Sequence, residues 1–294
     1  MTINKASIAW VALGLIWGSN FIFMKWATDY LTPLQVACVR IALGLFPVLI
    51  YAIAKQQIHL VHLRHAVHFL VMACLASAVY YYGFAKGTSL LPSGIAGAVS
   101  GAIPLFSLLA AGIFLPNETL SRLKIIGLFF GFIGVVIIAR PFETGLGSAS
   151  TEGVLYMILG SLSIGLSFVY ARKFITPLGI SSAALTSYQL GIATMVMLMI
   201  TELNGIGEIS KSVTALSGLI LGLGFLGTGI AYIIYYYIVM QMGAIKASTV
   251  TYMPPVVALF IGVIFVREQI VLTDYIATVL ILVGVILVNK QKEI

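Results

Sequence analysis

Arg40 stands apart. Of the 16 lysines and arginines in the chain, it is the one that falls well inside an apolar run. Within "PLQVACVRIALG" (33–44) it follows Pro33 by seven residues, about 10 Å along a helix from the nearer end. A charge at that depth is costly without a partner, and no apolar run contains an interior Asp or Glu. Two readings follow. Either the side chain snorkels to the surface or pairs with backbone carbonyls, or it holds the anionic group of a bound molecule, such as a carboxylate.

The remaining polar candidates are rings, hydroxyls and amides. Tyrosine triplets sit in "VYYYGF" (79–84) and "IIYYYIV" (233–239). A helix turns about 100° per residue, so no triplet aims three rings the same way. On that wheel Tyr81 shares a small, polar face with Cys74, Ser77 and Ala78, while Tyr232 and Tyr236 extend a face begun by Gly218, Gly222 and Gly229. Tyr80, Tyr82, Tyr235 and Tyr237 are left for packing or an interfacial belt. Trp17 and Asn20 lie deep in the first apolar run, and a buried amide there needs either an interhelical bond or a bound partner. Ser248 and Tyr252 share a face with Pro255, beside Thr251. Pro254 and Pro255 free the carbonyls of Val250 and Thr251, and Pro104 frees that of Ser100, unless the prolines serve only as kinks. Tyr170, Tyr188 and Gln189 are further candidates of this kind.

Other chemistry is thinly supplied. His59, His62, His65 and His68 recur every third residue, but the spacing rotates half a turn across the stretch, so a solvated basic loop is expected in place of a metal site. Cys38 and Cys74 read as buried thiols, with no disulfide framework. HExxH, GxSxG and paired mid-span aspartates are missing, so no catalytic site, metal or cofactor is expected. Without interior carboxylates, facilitated or exchange transport is expected over a dedicated proton relay.

The elements that position these residues follow from composition. The chain of 294 residues is 61% hydrophobic and 9% charged, with a mean hydropathy of +1.10. A soluble domain would carry about a quarter charged residues, so the chain belongs in a bilayer. Crossing roughly 30 Å of hydrocarbon takes about 20 helical residues. Ten runs of about that length are present, at 7–24, 33–54, 67–85, 91–115, 123–139, 153–171, 181–200, 214–238, 245–266 and 271–289. They lack the alternation of a β-barrel strand. No cleavable signal peptide is convincing.

With both termini cytoplasmic, ten basic residues fall in inside segments and five in outside ones, while seven of the nine acidic residues fall outside. The net charge of +7 is thus a topology signal, with no clustered patch for nucleic acid. The expected partners are a small-molecule substrate and the lipid bilayer. The expected location is the cytoplasmic (inner) membrane. Gly127, Gly131 and Gly134 suit helix packing within a monomer, with a homodimer kept open.

Sliding the chain over itself by 150 residues superposes Ile95 on Ile245, Pro104 on Pro254, Glu118 on Glu268, Gly134 on Gly284 and Arg140 on Lys290. "LTPL" (31–34) answers "ITPL" (175–178) at an offset of 144. The reading is a first five-helix repeat over 1–140, a connecting loop over 141–152 and a second repeat over 153–294. Five is odd, so the second copy enters the membrane inverted. The triplets are 155 residues apart, so they do not superpose on that repeat.

The chain resembles the ten-helix, EamA-type transporters of the drug/metabolite transporter superfamily over nearly its whole length. The resemblance rests on "LIWGSNFIFMKWA" (15–27), "PLQVACVRIALG" (33–44), "GTSLLPSGIAGAVSGAIPLFSLLAAGIFLPNETLSRLKIIGLFFGFIGVVII" (87–138) and "GAIKASTVTYMPPVVALFIGVIFVREQIVLTDYIATVLILVGVILV" (243–288). It implies an all-α integral membrane protein: two inverted five-helix repeats around a central cavity, with helices 5 and 10 peripheral and transport by alternating access. Arginine in "RIALG" belongs to that pattern. Where such proteins usually have Gly-Glu after helices 4 and 9, this chain has Asn117-Glu118 and Arg267-Glu268.

The expected function is export of a small polar metabolite, an amino acid or related compound, with Trp17, Asn20, Arg40, Tyr81, Tyr232, Tyr236, Ser248 and Tyr252 binding the substrate. Two alternatives stand beside it. One is transport of a choline-like or drug cation in an aromatic cage, and the other is a receptor or scaffold that transports nothing.

Overall fold

A computed structural model describes residues 5–115, 121–139, 151–243 and 247–289, the side chain of Asn289 aside. Expectations placed on Asn117-Glu118, on Arg140 and most of the connecting loop, on Ile245 and Lys246, and on Lys290 fall outside these residues.

The described chain is helical. Eight segments are long and apolar enough to cross a membrane: α1 Lys5–Thr28, α2 Pro33–Ala54, α3 Leu60–Leu90, α4 Ser93–Phe114, α5 Arg122–Ala139, α6 Thr151–Leu178, α7 Ser182–Ile200 and α8 Val213–Met242. Two shorter apolar helices follow, α9 Thr249–Ile264 and α10 Leu272–Val288. The protein is therefore a multi-pass membrane protein. The starts are chemically marked. Thr32 and Gln35 form a reciprocal capping box at α2 with Pro33 in the first turn, and Ser181 and Ser212 cap α7 and α8.

Apart from the π and 3-10 turns that finish α6 at Ala171–Ile175 and Thr176–Leu178, four of these helices are irregular along their length, in matching places. A π turn widens α3 at Cys74–Ala78, and a longer π run fills α8 at Gly218–Ile230. α4 pauses at Gly101 and Ala102 just before Pro104, and α9 opens with a 3-10 turn, Thr249–Tyr252, just before Pro254. That 3-10 turn satisfies one of the two freed carbonyls locally, because the Met253 amide donates to that of Val250, while the Thr251 hydroxyl donates to the Ser248 carbonyl at 2.8 Å.

The helices pair in a pattern that repeats when the halves are exchanged. α2 packs on α7, α4 on α9 and α5 on α10. α1 packs on α9 as α6 does on α4, α1 on α8 as α6 does on α3, and α2 on α8 as α7 does on α3. The α5–α10 crossing repeats the pattern residue by residue. Gly127 lies against the Gly284 carbonyl and Gly134 against that of Ala277. At the 150-residue offset these two contacts are one contact seen from each side. The helices run antiparallel there, since Gly127 also faces Leu287 and Val288. Gly127 and Gly134 are thus occupied by α10 of the same chain, and Gly131 by Leu105 of α4.

One end of the bundle is clamped. The Lys25 ammonium donates to the carbonyls of Thr88, Ser89 and Leu91, at 3.3, 3.1 and 3.1 Å, where α3 ends. Glu268, beyond α9, accepts from the Ser93 amide and hydroxyl at 2.7 Å each and from the Gly94 amide at 2.9 Å, where α4 begins. A cation on a helix C-terminus and an anion on an N-terminus both match the helix dipole. The turn that delivers Glu268 puts Arg267 at φ +58°, the left-handed conformation that glycine adopts freely. The glycine geometry therefore survives without the glycine.

Relieving that strain gives a test. Arg267→Gly should stabilise the purified protein by about 1 kcal/mol, while Glu268→Ala, which strips two backbone amides of their acceptor, should destabilise it by about 1–3 kcal/mol. Both are read as shifts in the thermal unfolding midpoint in detergent.

Candidate functional site

The clamped turn lies at one end of α3, and nearer its middle the polar side chains converge. Arg40 is 4% exposed, and its side chain stays inside the bundle. Its Nε donates to the Thr228 hydroxyl at 3.0 Å, and its guanidinium carbon lies 4.2 Å from the centre of the Tyr81 ring. Asn20, oriented by its hydrogen-bond network, accepts from Nη2 at 3.0 Å and donates to the Ile16 carbonyl at 3.2 Å. Nη1 donates to the thioether of Met24, at 4.0 Å. These contacts exclude snorkelling, because the side chain is spent bridging α1, α2, α3 and α8.

The geometry depends on the π run. In α8 the Thr228 hydroxyl donates to the carbonyl of Leu223, five residues back, at 2.9 Å, and so is turned to accept from Arg40. Small residues bring the backbones together, since a side chain on Gly44 would strike Thr228 and one on Gly227 would strike Asn20. The 100° wheel fails across this run. Gly218 and Gly222 share a face against Phe23, as the wheel has it, but Gly229 lies against Pro47 of α2.

Beyond Tyr81 the rings continue. Tyr232 meets Tyr81, Tyr232 and Tyr236 stack at 6.2 Å between centroids, and the Tyr236 hydroxyl bonds that of Thr186. Tyr80, Tyr232 and Tyr236 lie deep among protein atoms, yet each keeps accessible surface. That combination marks side chains facing an internal hollow. Across it, Gln189 donates to the Ser77 hydroxyl at 2.8 Å, tying α7 to α3.

Of the residues singled out in the sequence, Arg40, Asn20, Tyr81, Tyr232 and Tyr236 thus come together. Trp17 lies 5.8 Å from Tyr235, centroid to centroid, in a separate cluster with Leu13, Ala231 and Val250. Tyr252 packs at the edge of the main core, and Ser248 is exposed one turn before it. Of the remaining tyrosines, Tyr80 packs on Phe84, Tyr82 on Tyr156, and Tyr237 is exposed. Thr228 and Thr186 escaped sequence reading. The available signal for Thr228 was a lone hydroxyl within a run of glycines.

The histidines lie at the end of the bundle opposite the Lys25 clamp. His68 Nδ1 pairs with the Tyr170 hydroxyl at 2.7 Å, and Tyr188 donates to the His59 carbonyl at 3.0 Å. The stretch is a 3-10 turn, Leu60–His65, in place of the expected loop, and none of its residues is buried, in keeping with the solvated character expected. No group of three metal-binding side chains occurs among the described residues.

The sequence pattern of the EamA-like transporter family matches residues 4–140 and again 151–290. An uncharacterized transporter of Archaeoglobus fulgidus is 25% identical over 96% of this chain and 99% of its own length. The uncharacterized inner membrane transporter YedA of Escherichia coli is 28% identical over 96% of this chain and 89% of its own length. A solved crystal structure, 19% identical, shares the fold with a TM-score of 0.62 and 96% coverage of each chain.

Thr228→Val removes both roles of the hydroxyl and leaves a buried guanidinium N–H without an acceptor. It should destabilise the protein by about 1–3 kcal/mol in thermal unfolding, whereas Thr228→Ser should hold within about 1 kcal/mol.

Proposed function

The chain belongs to the EamA-like transporter family, and on that premise we propose that it is a secondary transporter of a small polar metabolite. An amino acid or related compound, moved outward across the cytoplasmic membrane by alternating access, fits best. One observation carries this reading. Tyr232 and Tyr236 line a hollow at the junction of the two halves, with the buried Tyr81, Arg40 and Asn20 behind them and Thr186 bonded to Tyr236. Rings and hydroxyls beside one buried cation suit a solute with an apolar body and a polar, carboxylate-bearing end.

Ten spans in two inverted repeats provide the machinery. The exchange pattern of the helix contacts and the antiparallel α5–α10 crossing support inversion. Both termini are assigned to the cytoplasm from the distribution of basic residues. Lys25 and Glu268 then clamp the outer end, which supports a conformation closed to the outside. Trp17 and Tyr252, in the flanking clusters, are assigned to the cavity wall in other conformations, with Ser248 at the mouth.

Thermal-shift profiling of the purified protein against amino acids, nucleosides, phosphorylated sugars and quaternary amines tests the reading. Amino acids are expected to raise the unfolding midpoint, and Tyr236→Ala should remove the effect. No stabilisation by any compound would count against a small-metabolite transporter.

A further inference from the structure

The two halves make the same cross-helix tie with different charge. α2 reaches α8 through Arg40 and Thr228, at 3.0 Å, and α7 reaches α3 through Gln189 and Ser77, at 2.8 Å. Gln189 follows Arg40, and Thr228 follows Ser77, by within one residue of the 150-residue repeat offset. All four residues are buried. A neutral amide therefore suffices to make this tie, and the architecture does not call for a cation. Arginine nevertheless stays charged at any accessible pH, and the two carboxylates that fall within spans, Glu152 and Asp274, sit in the first turns of α6 and α10, so no carboxylate lies in the interior of a span to neutralise it. A further acceptor is the Met24 thioether, at 4.0 Å, among the weakest that a side chain offers.

The charge is separated from the hollow by one ring. Tyr81 covers the guanidinium, and Tyr232 and Tyr236 continue from Tyr81 to the accessible surface. The Tyr81 ring is thereby engaged with a protein cation and is withdrawn from any cage for a cationic solute. At an effective dielectric of about 20, an uncompensated unit charge about 8 Å away changes the affinity for another unit charge roughly thirty-fold.

We propose that Arg40 is the charge-selecting residue of the site: acting through Tyr81, it admits solutes that present a carboxylate and rejects net cations. This deepens the transport reading and rests on it. The step involves no chemistry on the solute. It is a bias in the potential of a hollow whose other contacts are neutral rings, hydroxyls and amides.

Matched solutes isolate the effect. Binding to the purified protein is measured for glycine betaine against choline, L-leucine against L-leucinamide and L-phenylalanine against L-phenylalaninamide. The carboxylate-bearing member of a bound pair should bind at least tenfold more tightly. Arg40→Gln, which copies the tie made by Gln189, should erase that preference while the protein still unfolds cooperatively. Arg40→Lys, which keeps the charge but not the bonding geometry, should retain it. Equal binding within pairs, or a preference that survives Arg40→Gln, overturns the inference and leaves the transporter reading in place. If no member of any pair binds, the reading of a carboxylate-bearing metabolite falls, and this inference falls with it.

Discussion

Hydrocarbon offers no hydrogen bonds, so a polar atom placed in a span must be satisfied by the protein itself. The centre of this molecule is arranged around that constraint. Arg40 is held by one hydroxyl, one amide oxygen and one ring, drawn from three other helices. Thr228 accepts from it with the hydroxyl's own proton donated to Leu223, five residues back, a spacing that belongs to the wider turn of a π helix. The glycines that flank Thr228 have no side chain to hold α2 and α1 away. Composition, helix type and packing in this part of α8 thus trace to the accommodation of one charge.

The same constraint shapes the ends of the spans. Carbonyls at the end of α3 and amides at the start of α4 have no helical partners, and they are met by Lys25 and Glu268. Lys25 lies on α1 and Glu268 follows α9, so this cap also joins elements from the two halves of the chain. Gln35 does comparable work, joining the cap of α2 to the carbonyls of Glu202 and Asn204 at 2.8 and 2.9 Å. Contacts of this kind hold the halves together at one end while the rings between them leave space.

Hydropathy made the spans legible. The second was expected at 33–54 and is found there, and the others differ by a few residues, chiefly where α3 and α6 extend past their apolar cores into irregular turns. The exchangeable contacts of the two halves were foreshadowed by Pro104 and Pro254, Gly134 and Gly284. Within the site, Arg40, Asn20 and three tyrosines were recognisable because polar groups in an apolar run require explanation. Their partners were less visible. A π run changes which residues share a face, so a wheel drawn at 100° assigned Gly229 wrongly and passed over Thr228. The histidine stretch is unburied, as expected, but two of its members still reach neighbouring helices, His62 to Tyr188 on α7 and His68 to Tyr170 on α6.

The transport reading depends on Tyr232 and Tyr236 facing an aqueous hollow between the halves and not lipid or a dry core. Thiol labelling of Tyr236→Cys, with Cys38 and Cys74 replaced by Ala, tests this most directly. A charged, membrane-impermeant reagent should modify the thiol in intact proteoliposomes or inside-out vesicles, and a bound amino acid should slow the reaction. Modification only by lipid-soluble reagents, or by none without unfolding, would contradict the account.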